Sequence, residues 1–423
     1  METETAVQKK TEPWPKLRFK EFSLDWRKEY LENLSEVITK GTTPNRFVST
    51  GIKYVKLECL DGINIDESKC LFVDEKTHLT LLRRSILKKG DLLFAIAGAT
   101  VGKVGIVTEE ILPANTNQAL AIVRLLKEEY LHFILQILQS SVMKRYIYKS
   151  VSIGAQPNLN LQQVGNFEFF IPSLPEQQKI ASFLSSLDKK IQQLTRKKAL
   201  LDTYKNGVMQ KLFSQEIRFK DFTVSKNGKI RKNFPEWEVK PLGNISSRIS
   251  YGMNSASKDF DGTHKYIRIT DIDDNSRQLS PSSLTSPDGD LSEKYLVQQG
   301  DVLFARTGAS VGKSYLQQIH EPNVYFAGFL IRFSIKDAVP YFVYSQTLTE
   351  RYRKWVTVMS MRSGQPGINA EEYKMFKILL PVKKEQQKIA DFLSAIDKKI
   401  ETVSQQIEKT QTFKKGLLQQ MFV

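Results

Sequence analysis

EQQKIASFLSSLDKKI (residues 176–191) returns as EQQKIADFLSAIDKKI (residues 385–400), changed only at Ser182/Asp391, Ser186/Ala395 and Leu187/Ile396. Apolar residues recur at alternating four- and three-residue steps through both copies and past their ends. They are Ile180, Leu184, Leu187, Ile191, Leu194, Leu201, Val208 and Leu212 in the first, and Ile389, Leu393, Ile396, Ile400, Val403, Ile407, Leu417 and Met421 in the second. A strand alternates every second residue, whereas this spacing gathers the apolar positions on one stripe of a helix. The pattern is a heptad seam and predicts two long helices. From Pro175 to Leu212 the first would run ~57 Å at about 1.5 Å per residue. Lys198, Lys205, Thr410 and Lys414 interrupt the seams. Polar groups in a seam cost stability and can fix register or partner. Two matching seams in one chain predict helices that pack on each other; the alternative is that each lies on its own globular domain.

Working outward, the rest of the chain is also written twice. GDLLFAIAGATVGK (residues 90–103) returns as GDVLFARTGASVGK (residues 300–313), and GAQPNLN (residues 154–160) as SGQPGIN (residues 363–369). The openings echo too: RFKEF (residues 18–22) precedes Trp26, and RFKDF (residues 218–222) precedes Trp237. The order is the same in both halves. A period of about 210 residues is too long for a solenoid repeat and indicates a duplicated domain pair. Each half has a mixed part with strand-like runs at residues 53–57 and 92–96, echoed at 265–269 and 302–305. Helices are predicted over residues 130–148 and 341–356, and the mixed parts close at Ile171-Pro172 and Leu380-Pro381. The fold class is therefore α+β: two tandem mixed α/β domains, each followed by a long helix. The boundaries read as a tail (1–16), a first domain (17–173), a central helix (174–215), a second domain (216–382) and a final helix (383–423).

The chain has 423 residues, with 62 Lys plus Arg against 46 Asp plus Glu, a net charge of +16. Such an excess favours a polyanionic partner, nucleic acid first, over a merely soluble basic protein. Cys59 and Cys70 are the only cysteines, which excludes a disulfide framework or zinc cluster. The opening residues are polar, and no apolar run approaches the ~20 residues of a bilayer span. The expectation is a soluble cytoplasmic protein without a membrane partner.

Catalytic motifs fail on inspection. GASVGKS (residues 308–314) resembles a phosphate-binding loop but has three residues between its glycines, not four. Its copy ends in Val104 rather than a hydroxyl residue, and Val-Gly-Ile-Val follows where a helix is required. The glycines suit a tight turn between strands, with Lys103 and Lys313 placed for a DNA phosphate or simply solvated. The run Asp271-Ile-Asp-Asp-Asn275 lacks the glycine and glutamate of a calcium loop, having Ser276 and Ser282 there. Glu238-Val-Lys240 matches the tail of a nuclease pattern, without an echo at Arg27 to Glu29. No methyl-donor glycine motif, amino-methyltransferase motif or metal-spaced histidines are present. The chain reads as a binder.

Taken in order, RFKEF…W, GDLLFAIAGATVGK, GAQPNLN, IPSLPEQQKIASFLSSLDKKI, a long helix, and then all of it again, the sequence resembles the specificity subunits of type I restriction-modification systems. The resemblance covers nearly the whole chain from Leu17; the second copy departs with Lys384 in place of Pro175. It implies two target-recognition domains, each reading one half of a split site in double-stranded DNA. It also implies that the long helices form an antiparallel coiled coil that spaces those domains and helps dock two modification subunits, and that restriction subunits join the complex. This chain would be non-catalytic and bind no cofactor; S-adenosylmethionine, ATP and magnesium would belong to the partners. A self-contained nuclease or methyltransferase, or a protein-only coiled-coil adaptor, are the alternatives.

Shared residues then predict scaffold, docking or backbone contact, and divergent ones predict base reading. Residues 41–46 differ from 252–255, Leu82-Arg-Arg-Ser85 has no basic echo near Ser292, and Ile96 stands opposite Arg306. Arg and Lys suit guanine, and Asn and Gln suit adenine. The candidate base readers are Asn45, Arg46, Lys56, Asn254, Arg268 and Arg306. The candidate backbone contacts are Lys103, Lys313, Lys144, Arg145, Arg353 and Lys354. Gln156 and Gln365 are assigned a common structural or backbone role. The docking and coiled-coil set is Ile180, Leu184, Leu187, Ile191, Leu194, Leu201, Ile389, Leu393, Ile396, Ile400, Val403 and Ile407. Lys189, Lys190, Lys398 and Lys399 face DNA, the modification subunits or solvent.

Overall fold

The computed structural model describes residues 14–150, 158–221, 233–274, 276–280, 284–289, 291–361 and 366–423. The chain forms two compact units, Met1–Thr195 with Ser404–Val423, and Arg196–Val403. This division cuts each long helix in two.

In the first unit a four-stranded antiparallel sheet is ordered Ser35–Lys40, Leu120–Leu125, Leu92–Ala95, Val104–Ile106. The second unit repeats it as Ser246–Tyr251, Leu330–Ile335, Asp301–Ala305, Ser314–Leu316. Leu92, Phe94, Ala121 and Val123 on one face join the helices in one core, while Leu93, Ala95, Leu120 and Ile122 on the other cover a smaller one. Period-two alternation of a sheet buried on both faces produces that division. A parallel strand pair accompanies each sheet: Ile52–Val55 with Ala114–Thr116, and Lys265–Ile267 with Val324–Phe326. The predicted runs therefore contain strands, although those at 53–57 and 265–269 stop at Val55 and Ile267 and give way to 3-10 turns at Leu57 and Ile269, and Glu168–Ile171 and Lys377–Leu380 close the mixed parts as expected.

One expectation is corrected. Residues 130–148 do not form one helix but two, Leu131–Gln139 and Ser141–Ser150. Their counterparts are Pro340–Gln346 and Glu350–Ser360. The breaks fall at hydroxyl residues that take over backbone bonds: Ser140 Oγ donates to Ile137 O (2.7 Å) and accepts from Val142 N–H (3.2 Å), and Thr349 Oγ1 caps Tyr352 N–H (3.4 Å).

The long helices are Leu174–Phe213 and Lys383–Gln420. None of the described helices is long and apolar enough to cross a membrane. Their repeated openings are explained by one buried carboxylate each. Glu176, fully buried, accepts Arg18 Nε–H and Nη2–H at 2.7 Å each, and Trp26 Nε1–H at 3.3 Å. Glu385 accepts the same groups from Arg218 (3.1 and 2.9 Å) and Trp237 (3.1 Å). A buried carboxylate is tolerable only when paired and hydrogen-bonded, so the RFKEF…W echo and the EQQ echo belong to one device. The next residue bonds back across the proline: Gln177 Nε2–H to Pro172 O (2.8 Å) and Gln386 Nε2–H to Pro381 O (2.7 Å).

The seam residues divide their work. Ile180 and Leu184 lie in the first unit's core beside Leu417, Leu418, Met421 and Phe422, so the start of one helix meets the end of the other. Ile389, Leu393 and Ile396 do the same in the second unit with Met209, Leu212 and Phe213. Val403 is buried, and Leu187, Ile191, Leu194, Leu201, Ile400 and Ile407 are half-buried. Two of the polar interruptions are answered by the other helix. Lys414 Nζ donates to Asp188 Oδ1 (2.6 Å) while Gln136 Nε2–H donates to Oδ2 (2.8 Å). Lys205 Nζ meets Asp397 Oδ1 (2.5 Å), and Tyr341 Oη–H donates to Oδ2. Lys198 instead pairs along its own helix with Asp202 (3.0 Å), and Thr410 Oγ1–H returns to Gln406 O (2.6 Å).

Burial pushes the Lys414 ammonium below its ordinary range, against the pull of Asp188. The unfolded chain therefore holds this proton more tightly, and the ionised lysine costs stability below its folded value. Its contribution should rise as pH climbs from that value towards ordinary lysine. Asp188→Ala, which strands a buried ammonium, should cost ~3–5 kcal/mol in denaturant unfolding, whereas Asp188→Leu with Lys414→Met should cost less, about 1–3 kcal/mol, because the buried Gln136 Nε2–H, and no ammonium, then lacks its acceptor. Equal losses in the single and double variants would show that the pair adds net stability.

Candidate nucleic-acid interface

The glycine motif is a hairpin. Strands Leu92–Ala95 and Val104–Ile106 pair antiparallel across it, as do Asp301–Ala305 and Ser314–Leu316. Gly98 and Gly102 have φ of 85° and 92°, and Gly308 and Gly312 have 73° and 84°, a region that disfavours side chains. A Cβ on Gly102 would lie 2.7 Å from Ile147, and one on Gly312 2.6 Å from Val356. The turn spends its amides on itself: Val101 N–H bonds Gly98 O (3.3 Å), Gly102 N–H bonds Ala95 O (3.0 Å) and Lys103 N–H bonds Thr100 O (3.1 Å). A nucleotide-binding loop needs such amides for phosphate. The second repeated motif straps onto the first, since Leu159 N–H donates to Ile96 O (2.8 Å) and Ile368 N–H to Arg306 O (2.9 Å). Its last residue caps a short helix, through Asn160 Oδ1 to Gln163 N–H (2.8 Å) and Asn369 Oδ1 to Glu372 N–H (2.9 Å). Gln156 and Gln365 lie outside the described residues.

The divergent stretches gather at the end of the sheet that carries this hairpin. Gly41 and Gly252 leave equivalent strands against a neighbouring backbone; a Cβ would fall 1.9 Å from Thr116 O and 2.3 Å from Ala327 O. Beyond Gly41, Thr42 Oγ1 accepts Arg84 Nε–H (3.2 Å), and Thr43 Oγ1–H donates to Gln118 Oε1 (2.5 Å). Asn45 and Arg46 are exposed, with Arg46 3.9 Å from Asp74. In the second unit Asn254 is exposed at the same place, and Tyr251, Arg306 and Phe329 occupy the ends of three neighbouring strands. Thr42, Thr43, Arg84, Gln118, Tyr251 and Phe329 are not among the candidates named from the sequence. Only pairing of the strands brings residues so distant in sequence together, although Thr42, Thr43 and Arg84 stand in divergent stretches.

Matched lysines and arginines meet different fates. Lys103 is exposed, but Lys313 is 7% exposed, bonded to Ile272 O (2.9 Å) and paired with Asp274 (2.5 Å). Its ammonium holds the turn after Ile269, and the first repeat has Gly62 at the position of Asp274. Lys56 is half-buried, 3.8 Å from Glu58. Arg268 forks onto Asp271 through Nε–H (2.9 Å) and Nη2–H (2.7 Å), and that hydrogen bonding raises its pKa further. Lys56 and Arg268 occupy equivalent positions, because Cys59 Sγ accepts Lys56 N–H (3.3 Å) where Asp271 Oδ2 accepts Arg268 N–H (3.0 Å).

Lys144 and Arg145, like Arg353 and Lys354, point outward from helices on which Tyr146 and Trp355 face in, while Tyr148 is exposed beside the first pair. Tyr146 sits 5.4 Å from Phe167, and Trp355 stacks 6.0 Å from Tyr352. Arg353 also pairs with Glu350 (2.6 Å). Lys189, Lys190, Lys398 and Lys399 are exposed. Glu238 and Lys240 form an exposed ion pair (2.9 Å) on a strand. Among the described residues no group of three His, Cys, Asp or Glu is placed to hold a metal ion. Asn275 and Ser282 lie outside them.

With this geometry in hand, the comparisons with known proteins are specific. The sequence model of the type I restriction modification DNA specificity domain matches residues 72–202 and 235–411. A chain from Methanocaldococcus jannaschii described as a putative type I restriction enzyme MjaX specificity subunit is 24% identical, over 97% of this chain and 95% of that one. The EcoBI specificity subunit of Escherichia coli is 26% identical over 46% of this chain and 42% of its own length. The crystal structure of the S subunit of a type I restriction-modification system from M. genitalium superposes with a TM-score of 0.60 at 15% identity. That superposition covers 97% of this chain and 99% of the other, and it establishes likeness of fold. The chain belongs to the type I restriction-modification DNA specificity family, as a specificity subunit with two such domains in tandem.

Proposed function

We propose that this specificity subunit reads a split double-stranded DNA target, one half-site with each unit, through the hairpin end of its four-stranded sheet. The observation that carries the reading is the contrast within a shared frame. The scaffold contacts recur in both units, while the side chains at that one end differ: Thr42, Thr43, Arg84 and Gln118 in the first, Tyr251, Asn254, Arg306 and Phe329 in the second. A duplicated domain that reads two different half-sites requires this distribution. The excess of 62 basic over 46 acidic residues supplies the sequence-independent attraction to phosphate.

In this reading the long helices set the gap between half-sites as an antiparallel coiled coil. At 40 residues the first spans ~60 Å, against ~34 Å for one turn of B-DNA. Two modification subunits dock on the helices and recognition units and methylate adenine with their own S-adenosylmethionine. Restriction subunits supply ATP- and magnesium-dependent translocation and cleavage. This chain binds none of these cofactors and works in the cytoplasm.

Exchanging residues 17–173 for the matching domain of a subunit with another target should change one half of the methylated motif and keep the other, as read from genome-wide methylation. A change in both halves would defeat the modular reading. Deleting one heptad from a long helix should shorten the gap between unchanged half-sites, and an unchanged gap would exclude the spacer role. Lys144→Gln with Arg145→Gln should weaken binding equally across sequences and flatten the salt slope by about 2 in log–log form. A protein-only adaptor would show no salt-dependent DNA binding even with modification subunits present. A self-contained nuclease would cleave alone with magnesium and lose that activity in Glu238→Ala.

A further inference from the structure

The hairpin end of the second unit carries a cation that its surroundings do not neutralise. Tyr251 ends the strand Ser246–Tyr251, Phe329 precedes Leu330–Ile335, and Arg306 follows Asp301–Ala305. These are three adjacent antiparallel strands, so the three residues share one end of the sheet. Arg306 N–H bonds Phe329 O (3.0 Å), and its guanidinium lies 5.0 Å from the centre of the Tyr251 ring. Tyr251 is anchored in turn by accepting Ala370 N–H at Oη (3.1 Å). Phe329 is 60% exposed.

Three buried or half-buried cations of this unit meet carboxylates, Arg268 with Asp271 (2.7 Å), Lys313 with Asp274 (2.5 Å) and Arg332 near Asp301 (4.0 Å), while Arg248 and Arg351 donate to the carbonyls of Lys294 and Lys377 (2.8 Å each). Among the described residues Arg306 has no such partner, and its shielded Nε has no hydrogen-bond acceptor. The terminal nitrogens are the donors left to a visiting group. The first unit places Lys40, buried Ile96 and Ala119 at the equivalent positions and has no such platform.

We propose that Arg306, steadied on the Tyr251 ring, donates to the O6 and N7 edge of one guanine in the half-site read by the second unit, with Phe329 against the adjoining base. The inference rests on the split-site reading above. A guanidinium stacked on an aromatic ring keeps its plane and aims its donors along one line, the geometry a base edge with two acceptors requires. A phosphate contact needs no such orientation, and Lys103, on the equivalent hairpin of the first unit, is left simply exposed.

The test uses the subunit assembled with its modification subunits, and DNA in which each guanine of the second half-site is replaced in turn by 7-deazaguanine, which lacks the N7 acceptor. One position should lose about 10- to 100-fold in binding with the unaltered protein. Arg306→Ile, which installs the first repeat's residue, should erase that sensitivity, tolerate other bases there and leave the first half-site unchanged. Arg306→Lys, which keeps the charge without the planar fork, should retain affinity and relax the preference. The proposal is overturned if no guanine is sensitive, or if Arg306→Ile keeps the original preference. It is also overturned if that variant loses affinity uniformly with a salt slope lower by about 1, the mark of a phosphate contact. Altered recognition of the first half-site in Arg306→Ile would instead count against the split-site reading.

Discussion

A buried charge must find its opposite, and in this chain the opposite lies on the far side of the repeat. Asp188 near the start of one long helix is held by Lys414 near the end of the other, and Asp397 is held by Lys205 in the mirrored arrangement. Each carboxylate is also gripped by its own recognition domain, through Gln136 in one unit and Tyr341 in the other. Helix pairing and domain seating are therefore satisfied by the same two oxygens. Leucines and isoleucines slide along a seam with little change in energy, but a carboxylate and an ammonium withdrawn from water have few acceptable alignments. Residues 404–423 close the first unit through this pair and through Leu417, Leu418, Met421 and Phe422 in its core, although more than two hundred residues intervene.

The other repeated polar residues work in the same way. Glu176 and Glu385 tie the RFK openings to the helix starts, and Gln177 and Gln386 fasten the helices to the carbonyls of Pro172 and Pro381. Asp91 and Asp301, which open the glycine motif, are buried: Asp91 receives Arg124 at 2.7 Å, and Asp301 accepts Ser334 Oγ–H at 2.6 Å with Arg332 beside it. With these demands met inside by polar groups common to both copies, the hairpin end of each sheet keeps the same backbone bonds whichever side chain it carries: Leu159 N–H to Ile96 O and Ile368 N–H to Arg306 O. It can carry an Ile in one copy and an Arg in the other without disturbing what lies beneath. That separation is what the proposed reading of two different half-sites with one frame requires.

Much of this was legible before any coordinates. The three-and-four spacing of Ile180, Leu184, Leu187 and Ile191 defined a helix, and the duplicated motifs defined two domains of one design. Lys205 and Lys414 stood out as interruptions of a seam, though their partners did not. Local chemistry misled where two elements share one apolar run: residues 130–148 read as a single helix, and Ser140 divides them. Identical letters also concealed different environments. Lys103 and Lys313 close the same turn, yet Asp274 buries one and leaves the other exposed.

Sequence alone determined the repeat, the fold class, the two long helices and the absence of a workable phosphate loop, because each depends on spacing within a short window. Tertiary structure decided which cations are occupied and which are open, and which distant residues share a surface. Arg268 and Arg306 look alike in the chain, but one is forked onto Asp271 and the other rests on Tyr251, with no carboxylate partner among the described residues. Strand pairing across tens of residues creates that difference, and no local pattern records it.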